Sequence, residues 1–252
     1  MPALLNAPAA ALSYILTFAA ILVGLPLQLL LLAVTRPFDP DRRISGRFLR
    51  IVGSTPTYVY PFWHVRFQGT FPRDRHAYVV VSNHQSMLDV FLLSRLPREM
   101  KWMAKDELFR IPWVGWMFTL SGDIRVDRAS RLSGGAALAK IQRYLRNGTC
   151  VMMFPEGTRS RDGKMLPFKP GAFKAAIDAQ VPVLPVAVTG SADGMPKGSP
   201  WIRPTLVLAR VLEPVPTEGM TGADTDRLCG LVRDRIAAAE AELRREREAA
   251  GW

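Results

Sequence analysis

The sequence predicts an α/β fold: a mostly parallel or mixed central sheet flanked by helices, with a hydrophobic membrane anchor at the N-terminus. Three observations predict it. From about Trp63 onward, short β-rich apolar runs alternate with longer helical patterns. Several of those runs are unbroken in hydrophobicity, as strands buried on both faces are. Ahead of them, Met1 to Thr35 contains no charged residue. At 252 residues the chain can bury a substantial core without covalent staples.

The first 35 residues form the anchor, because Ala9 to Val34 is a mostly apolar run of 26 residues. At the helical rise this run reaches about 39 Å, against a hydrocarbon core of about 30 Å. It is too long for a signal-peptide core and no Lys or Arg precedes it, which favours a retained segment over a cleaved one. Pro26 interrupts the run, so a simple span and a re-entrant or hairpin insertion both stay open.

Residues 36–62 read as a basic amphipathic interfacial helix and linker. Arg36, Arg42, Arg43, Arg47 and Arg50 outnumber Asp39 and Asp41. By the positive-inside rule, this places the following domain on the cytoplasmic face of a cell inner membrane. Ile44, Phe48, Ile51 and Val52 fall on one helical stripe, edged by Arg43, Arg47 and Arg50. Such a helix suits the headgroup layer of a phospholipid membrane, with guanidinium groups reaching anionic lipid. The alternative is a helix packed on the soluble domain with its arginines merely solvated.

Residues 63–218 form the α/β domain, after the Thr55-Pro56 and Tyr60-Pro61 punctuation. Strands are expected at His64–Gln68, Ala77–Val81, Thr149–Phe154, Val183–Val188 and Thr205–Leu212. Of the helices, the clearest runs from near Ser130 to Arg146 and is stopped by Asn147-Gly148. Residues 219–252 form a C-terminal amphipathic helix packed on the domain, with Leu228, Leu231, Val232, Ile236 and Leu243 facing the core. Trp102, Trp113 and Trp116 fit an interfacial face or interior packing equally well.

The chain carries 33 basic against 22 acidic residues, a net charge of +11. Such a chain is drawn to anionic phospholipid, nucleic acid or phosphate-bearing substrates. Arg159, Arg161, Lys164 and Lys169 come with no nucleic-acid recognition motif, and the anchor points away from that partner. Two cysteines, Cys150 and Cys229, make no disulfide framework. Three histidines with no cysteine pair at ligand spacing argue against a metal site.

Chemistry enters where the strand Val79-Val80-Val81 gives way to His84, with Asp89 five residues later. With His84 in the loop and Asp89 in the first turn of a helix, the carboxylate can accept a hydrogen bond from Nδ1. Nε2 is then free to take a proton from a hydroxyl. A second strand, Val151 to Phe154, opens into Pro155-Glu156-Gly157-Thr158-Arg159-Ser160. In a parallel sheet both loops leave carboxyl ends of strands, where open α/β sheets gather their sites. Arg159 could grip a phosphate there, with Thr158 and loop amides as neutral donors.

Taken together these segments carry a resemblance. Asn83-His84-Gln85-Ser86-Met87-Leu88-Asp89 resembles the H-x4-D block of the glycerolipid acyltransferases, and Phe154 to Ser160 resembles their phosphate-binding block. Gly122 to Arg128 is similar to their second motif and Val181 to Val186 to their fourth, so four blocks appear in order between about Val79 and Thr189. Within the family, the bacterial lysophosphatidic acid acyltransferase group is the nearest likeness, through Met103 to Phe109 and Pro167 to Phe173.

The resemblance implies that His84 and Asp89 form a catalytic dyad, that Glu156, Gly157, Thr158 and Arg159 hold a glycerol phosphate, and that Lys105 and Arg128 add positive charge. It implies acyl transfer to the sn-2 hydroxyl of lysophosphatidic acid, from acyl-CoA or acyl carrier protein, with no cofactor and no acyl-enzyme. Two other readings stay open: the same chemistry on lyso-ornithine lipid or glycerol 3-phosphate, and a lipid-binding module without catalysis.

Overall fold

The computed structural model describes residues 2–127, 131–160 and 164–252, of which 2–5 and 131–133 are described by their backbone alone. Among the described residues seven strands form one sheet: β1 (Trp63–Gln68), β2 (Val79–Ser82), β3 (Met100–Lys105), β4 (Ile124–Val126), β5 (Cys150–Met153), β6 (Val183–Thr189) and β7 (Thr205–Val211). The helices are α1 (Pro2–Thr35), α2 (Arg43–Ser54), α3 (Pro56–Val59), α4 (Leu88–Leu93), α5 (Asp106–Phe109), α6 (Val114–Ser121), α7 (Arg131–Arg146), α8 (Gly171–Ala179), α9 (Ser191–Gly194) and α10 (Thr225–Ala249).

Strand order is β1-β7-β6-β2-β5-β3-β4. The run from β6 to β4 is parallel throughout, whereas β7 reverses against β6 and β1 runs parallel to β7. The carboxyl ends of β6, β2, β5, β3 and β4 therefore share one edge. The period-two side-chain alternation of a strand divides the core. Val79 and Val81 pack with residues of α7, α8 and α10 on one face, and Val80 with Leu88, Leu92 and Trp102 on the other. All three valines are fully buried, as strands covered on both faces should be.

The five expected strands form within two residues of their anticipated ends. β3 and β4 were not expected. Met-Lys-Trp-Met-Ala-Lys contains no β-branched residue, and β4 has only three residues, so neither gives a local strand signal. Their neighbours in the sheet supply the pairing instead. Trp102 lies buried in β3, while Trp113 and Trp116 are exposed, so the three tryptophans divide between the two environments. In α10 the buried stripe is Leu228, Val232, Ile236, Ala239 and Leu243, and Leu231 faces outward. Ser130, the expected start of the helix ending at Arg146, lies outside the described residues.

Helix α2 corrects the expected arginine edge. Leu49 and Val52 pack with Leu25 of α1 and Met117 of α6, and Ile44 and Ile51 point outward. Arg50 is buried, pairs with Asp123 and lies 5.1 Å over the Trp102 ring. Arg43 donates to Thr149 Oγ1 at 2.7 Å and to the Asn147 carbonyl. The buried Arg50 guanidinium ties the helix to the domain through Asp123, because a buried cation needs an anion beside it, and the half-exposed Arg43 ties it to the turn before β5. Beneath them Lys101, fully buried, donates to the carbonyls of Arg42 and Ser121, each at 2.8 Å, and to Glu99 Oε1 at 3.0 Å. Burial pushes the Glu99 carboxyl up to about 7 against the pull of Lys101 and Arg50.

Helix α1 touches the domain along its length. Asn6 Nδ2 donates to the Ile202 carbonyl at 3.1 Å and the Tyr14 hydroxyl to the Pro200 carbonyl at 2.6 Å. Farther along, the buried Gln28 amide donates to Ser45 and to the Met117 carbonyl. Its other side exposes Leu12, Ile15, Phe18, Leu22, Leu30 and Val34.

Candidate active site

Two loops meet at the shared carboxyl edge, because β2 and β5 are adjacent and parallel. The first continues β2. Asn83 extends the β2–β6 ladder with its side chain: its amide donates to the Val188 carbonyl at 2.8 Å, and its oxygen accepts from the Val188 N–H at 2.9 Å. The chain therefore leaves the sheet at His84 with its direction already fixed.

Asp89 stands in the first turn of α4, fully buried. Its Oδ2 accepts the Gln85 N–H at 2.7 Å and the Ser86 N–H at 2.8 Å, closing the loop back on the helix start. The same oxygen lies 2.9 Å from Nδ1 of His84. A carboxylate oxygen facing Nδ1 assigns the proton to that nitrogen, leaving Nε2 with a free lone pair. The imidazole stacks on Phe154, with ring centroids 3.9 Å apart and planes 14° apart. One ring face is thus covered, and the His84 side chain keeps 14% of its surface exposed.

The second loop follows β5 and is bound to the first. The Ser160 N–H donates to the His84 carbonyl at 3.0 Å. Glu156, buried, accepts the His84 N–H on Oε1 at 2.7 Å and the Leu166 N–H on Oε2 at 2.9 Å. Burial lifts its carboxyl to about 7, although both amide bonds favour the ionised form. With both carboxyl oxygens engaged by backbone amides, Glu156 acts on the site by bracing the His84 loop. Gly157 has a φ of +72°, open to glycine at little cost, and a Cβ there would come 3.1 Å from Lys169 Nζ. Thr158 is exposed and Arg159 half-buried; no carboxylate pairs with the Arg159 guanidinium among the described residues.

Of the remaining expected residues, Lys105 ends β3 at this same edge and is exposed, while Arg128 lies outside the described residues, as does Arg161. Three contributors carried no assigned role in the sequence reading. Phe154 stacks on the ring. Lys169 lies over Gly157, its N–H donating to the Pro155 carbonyl at 2.9 Å. Lys197, in the segment between α9 and β7, donates to the Arg159 carbonyl at 2.7 Å. The Lys-Pro-Gly run at 169–171 was the available signal for Lys169; Lys197 sits in a loop with none.

A sequence model described as acyltransferase matches residues 50–189, which include both loops. The chain is 34% identical over 226 residues to a 1-acyl-sn-glycerol-3-phosphate acyltransferase of Chlamydomonas reinhardtii, covering 86% of this chain and 66% of that protein. It is 38% identical over 168 residues to the human 1-acyl-sn-glycerol-3-phosphate acyltransferase alpha, covering 66% of this chain and 59% of the relative. In both cases it spans less than two thirds of the relative's length. Among solved structures, the 1-acyl-sn-glycerophosphate (LPA) acyltransferase PlsC of Thermotoga maritima superposes with a TM-score of 0.81 at 29% identity, covering 97% of this chain and 98% of that one. The four ordered motifs, the sheet that brings two of them to one edge and a family match over more than half its residues lead to one conclusion: the chain belongs to the acyltransferase family.

Proposed function

We propose that this protein transfers a fatty acyl group from a thioester, acyl-CoA or acyl carrier protein, to the free sn-2 hydroxyl of lysophosphatidic acid, yielding phosphatidic acid. The observation that carries this reading is the physical union of the two loops. Glu156 and Ser160 of the basic loop hold the backbone of His84, whose ring is oriented by Asp89. A small acceptor bearing a phosphate and a nearby hydroxyl requires a cation and a base at such close quarters.

In this mechanism His84 Nε2 takes the proton of the acceptor hydroxyl as its oxygen attacks the thioester carbonyl. The tetrahedral oxyanion collapses, the C–S bond breaks, and the imidazolium returns its proton to the departing thiolate. Asp89 stabilises the imidazolium and preserves the tautomer. No acyl-enzyme intervenes, and the thioester itself supplies the activated acyl group, so no cofactor takes part. Arg159, Lys105 and Arg128, with Thr158 and the Gly157 backbone, bind the phosphate, and Glu156 holds the loop that presents them.

Helix α1 supports association with a membrane. Its 34 residues rise about 51 Å, yet the domain flanks it from Asn6 to Gln28, so its outer face meets lipid while its inner face meets protein. That favours a helix lying along the membrane over a free-standing span. The Pro200–Ile202 segment it touches belongs to the same connection as Lys197, which brings the lipid-facing helix to the catalytic edge. The arginine bias after α1 supports the cytoplasmic face of an inner membrane.

A thiol-release assay tests the reading: purified protein with acyl-CoA and acyl carrier protein donors, offered lysophosphatidic acid, lyso-ornithine lipid and glycerol 3-phosphate. Release dependent on lysophosphatidic acid is expected. Faster release with another acceptor would reassign the substrate, and release from no donor would end the enzymatic reading.

A further inference from the structure

Away from the catalytic edge, a groove of about 360 Å³ opens between α2, α3 and the end of α4, lined by Arg47, Ile51, Ser54, Thr55, Tyr58, Ser94 and Arg95. Helix α4 carries Asp89 in its first turn and ends at Leu93, so the groove lies at the far end of that helix from the dyad. We propose that this groove binds the phosphate headgroup of an anionic phospholipid, at a site separate from the acceptor site.

Its charge is the first argument. Arg47 and Arg95 face one cavity, and among the described residues neither pairs with a carboxylate. Arg47 donates one Nη1 hydrogen bond, 2.6 Å to the Leu96 carbonyl, which fixes its direction and leaves most of its five N–H groups available. Arg95 is held by stacking: its guanidinium carbon lies 4.3 Å from the centroid of the Tyr58 ring and 5.8 Å from that of Phe67. Two like charges drawn together without a counter-ion are unfavourable unless an anion joins them, and planar guanidiniums match phosphate oxygens in pairs. The hydroxyls of Thr55 and Tyr58, free of protein hydrogen bonds among the described residues, add neutral donors.

The rim decides what kind of phosphate. Ile44, Ile51 and Tyr58, spaced by seven residues along α2 and α3, are 40%, 57% and 64% exposed, and the last two also line the groove. Helix α1 packs against α2 through Leu25 and exposes Phe18, Leu22 and Leu30 of its own. A soluble phosphate would gain nothing from that rim, whereas the acyl chains of a phospholipid would cover it. The correction to α2 points the same way. With Arg50 buried and Arg43 bonded to Thr149 and Asn147, Arg47 is the one of the three that lines the groove, and Arg95 joins it from another element.

This inference rests on the membrane reading above, and the test separates the two. The full chain in neutral detergent is titrated with dihexanoyl-phosphatidylglycerol, with binding read by calorimetry. Saturable binding is expected. It should persist in Arg159→Ala and weaken roughly tenfold or more in Arg47→Gln/Arg95→Gln and measurably in Arg95→Gln alone, which disturbs no hydrogen bond of the fold. Dihexanoyl-phosphatidylcholine, with its charge cancelled, should bind more weakly. Thiol release with dispersed acceptor should not change. Undiminished binding in the arginine variants, loss in Arg159→Ala, or displacement by equimolar inorganic phosphate would overturn the proposal. Flotation of the wild-type chain with neutral phosphatidylcholine vesicles checks the membrane reading by itself: a chain that stays at the bottom refutes that reading, whatever the groove binds.

Discussion

The loop bearing His84 and the helix bearing Arg50 both bury charged side chains against the same sheet, but they hold them in different ways. Around His84 the buried carboxylates are held chiefly by backbone amides, Asp89 by those of Gln85 and Ser86 and Glu156 by those of His84 and Leu166. Under α2 the partners are other side chains: Arg50 with Asp123, Lys101 with Glu99. Amide donors belong to the fold and cannot swing away, which suits a site where a ring must keep one orientation. Ion pairs supply strong attachment between distant segments but leave a bare charge when one partner is lost.

That contrast is broken most severely by Arg50→Ala. Asp123 would stay buried without its cation, and a loss of about 3–5 kcal/mol in chemical denaturation is expected. A loss below about 1 kcal/mol would mean that α2 is attached mainly by its apolar contacts. His84→Ala should do the opposite, lowering turnover by roughly two orders of magnitude or more while the denaturation midpoint holds. Near-normal turnover in that folded variant would remove His84 from the chemistry.

Glu156→Ala lies between these. It strands two buried amides, so a stability loss of about 2–4 kcal/mol is expected alongside reduced turnover. Raised acceptor KM with unaltered kcat and stability would instead make Glu156 a ligand of the acceptor. Arg159→Ala should weaken acceptor binding by roughly tenfold with a smaller effect on kcat, as expected of a phosphate contact, and unchanged values of both would exclude it.

The smallest effect concerns pH. In the fold Glu99 keeps its proton up to about 7, against 4.5 for a free side chain. Over that window the native state holds more protons than the unfolded chain, so the stability this group contributes is complete at low pH and lost as pH rises through 7. Glu99→Gln should flatten the fall in melting temperature between pH 5 and 8, with Glu156 still contributing a decline of the same sign. An identical slope in variant and wild type would show that Glu99 does not titrate there.

The same contrast explains what could be read from sequence. His84, Asp89 and the Glu156 to Arg159 turn lie within short segments directly after unbroken apolar strands, so their local spacing already carries the geometry. Arg50 and Asp123 are 73 positions apart, and nothing local distinguishes this arginine from Arg47, which lines the groove. β3 was hidden by its composition, because pairing with β5 and β4 overrides the weak strand preference of Met, Lys and Ala. The amides that Glu156 accepts belong to His84 and Leu166, 72 and 10 positions away, so no local pattern announces them.

The reversal of β7 has a consequence for how such a protein can diversify. Because β7 begins where β6 ends, the segment between Gly194 and Thr205 returns to the catalytic rim instead of crossing beneath the sheet. It already meets the first helix at Ile202 and the basic turn at Arg159. Residues inserted there would change the make-up of this rim without lengthening a strand or moving His84 and Asp89.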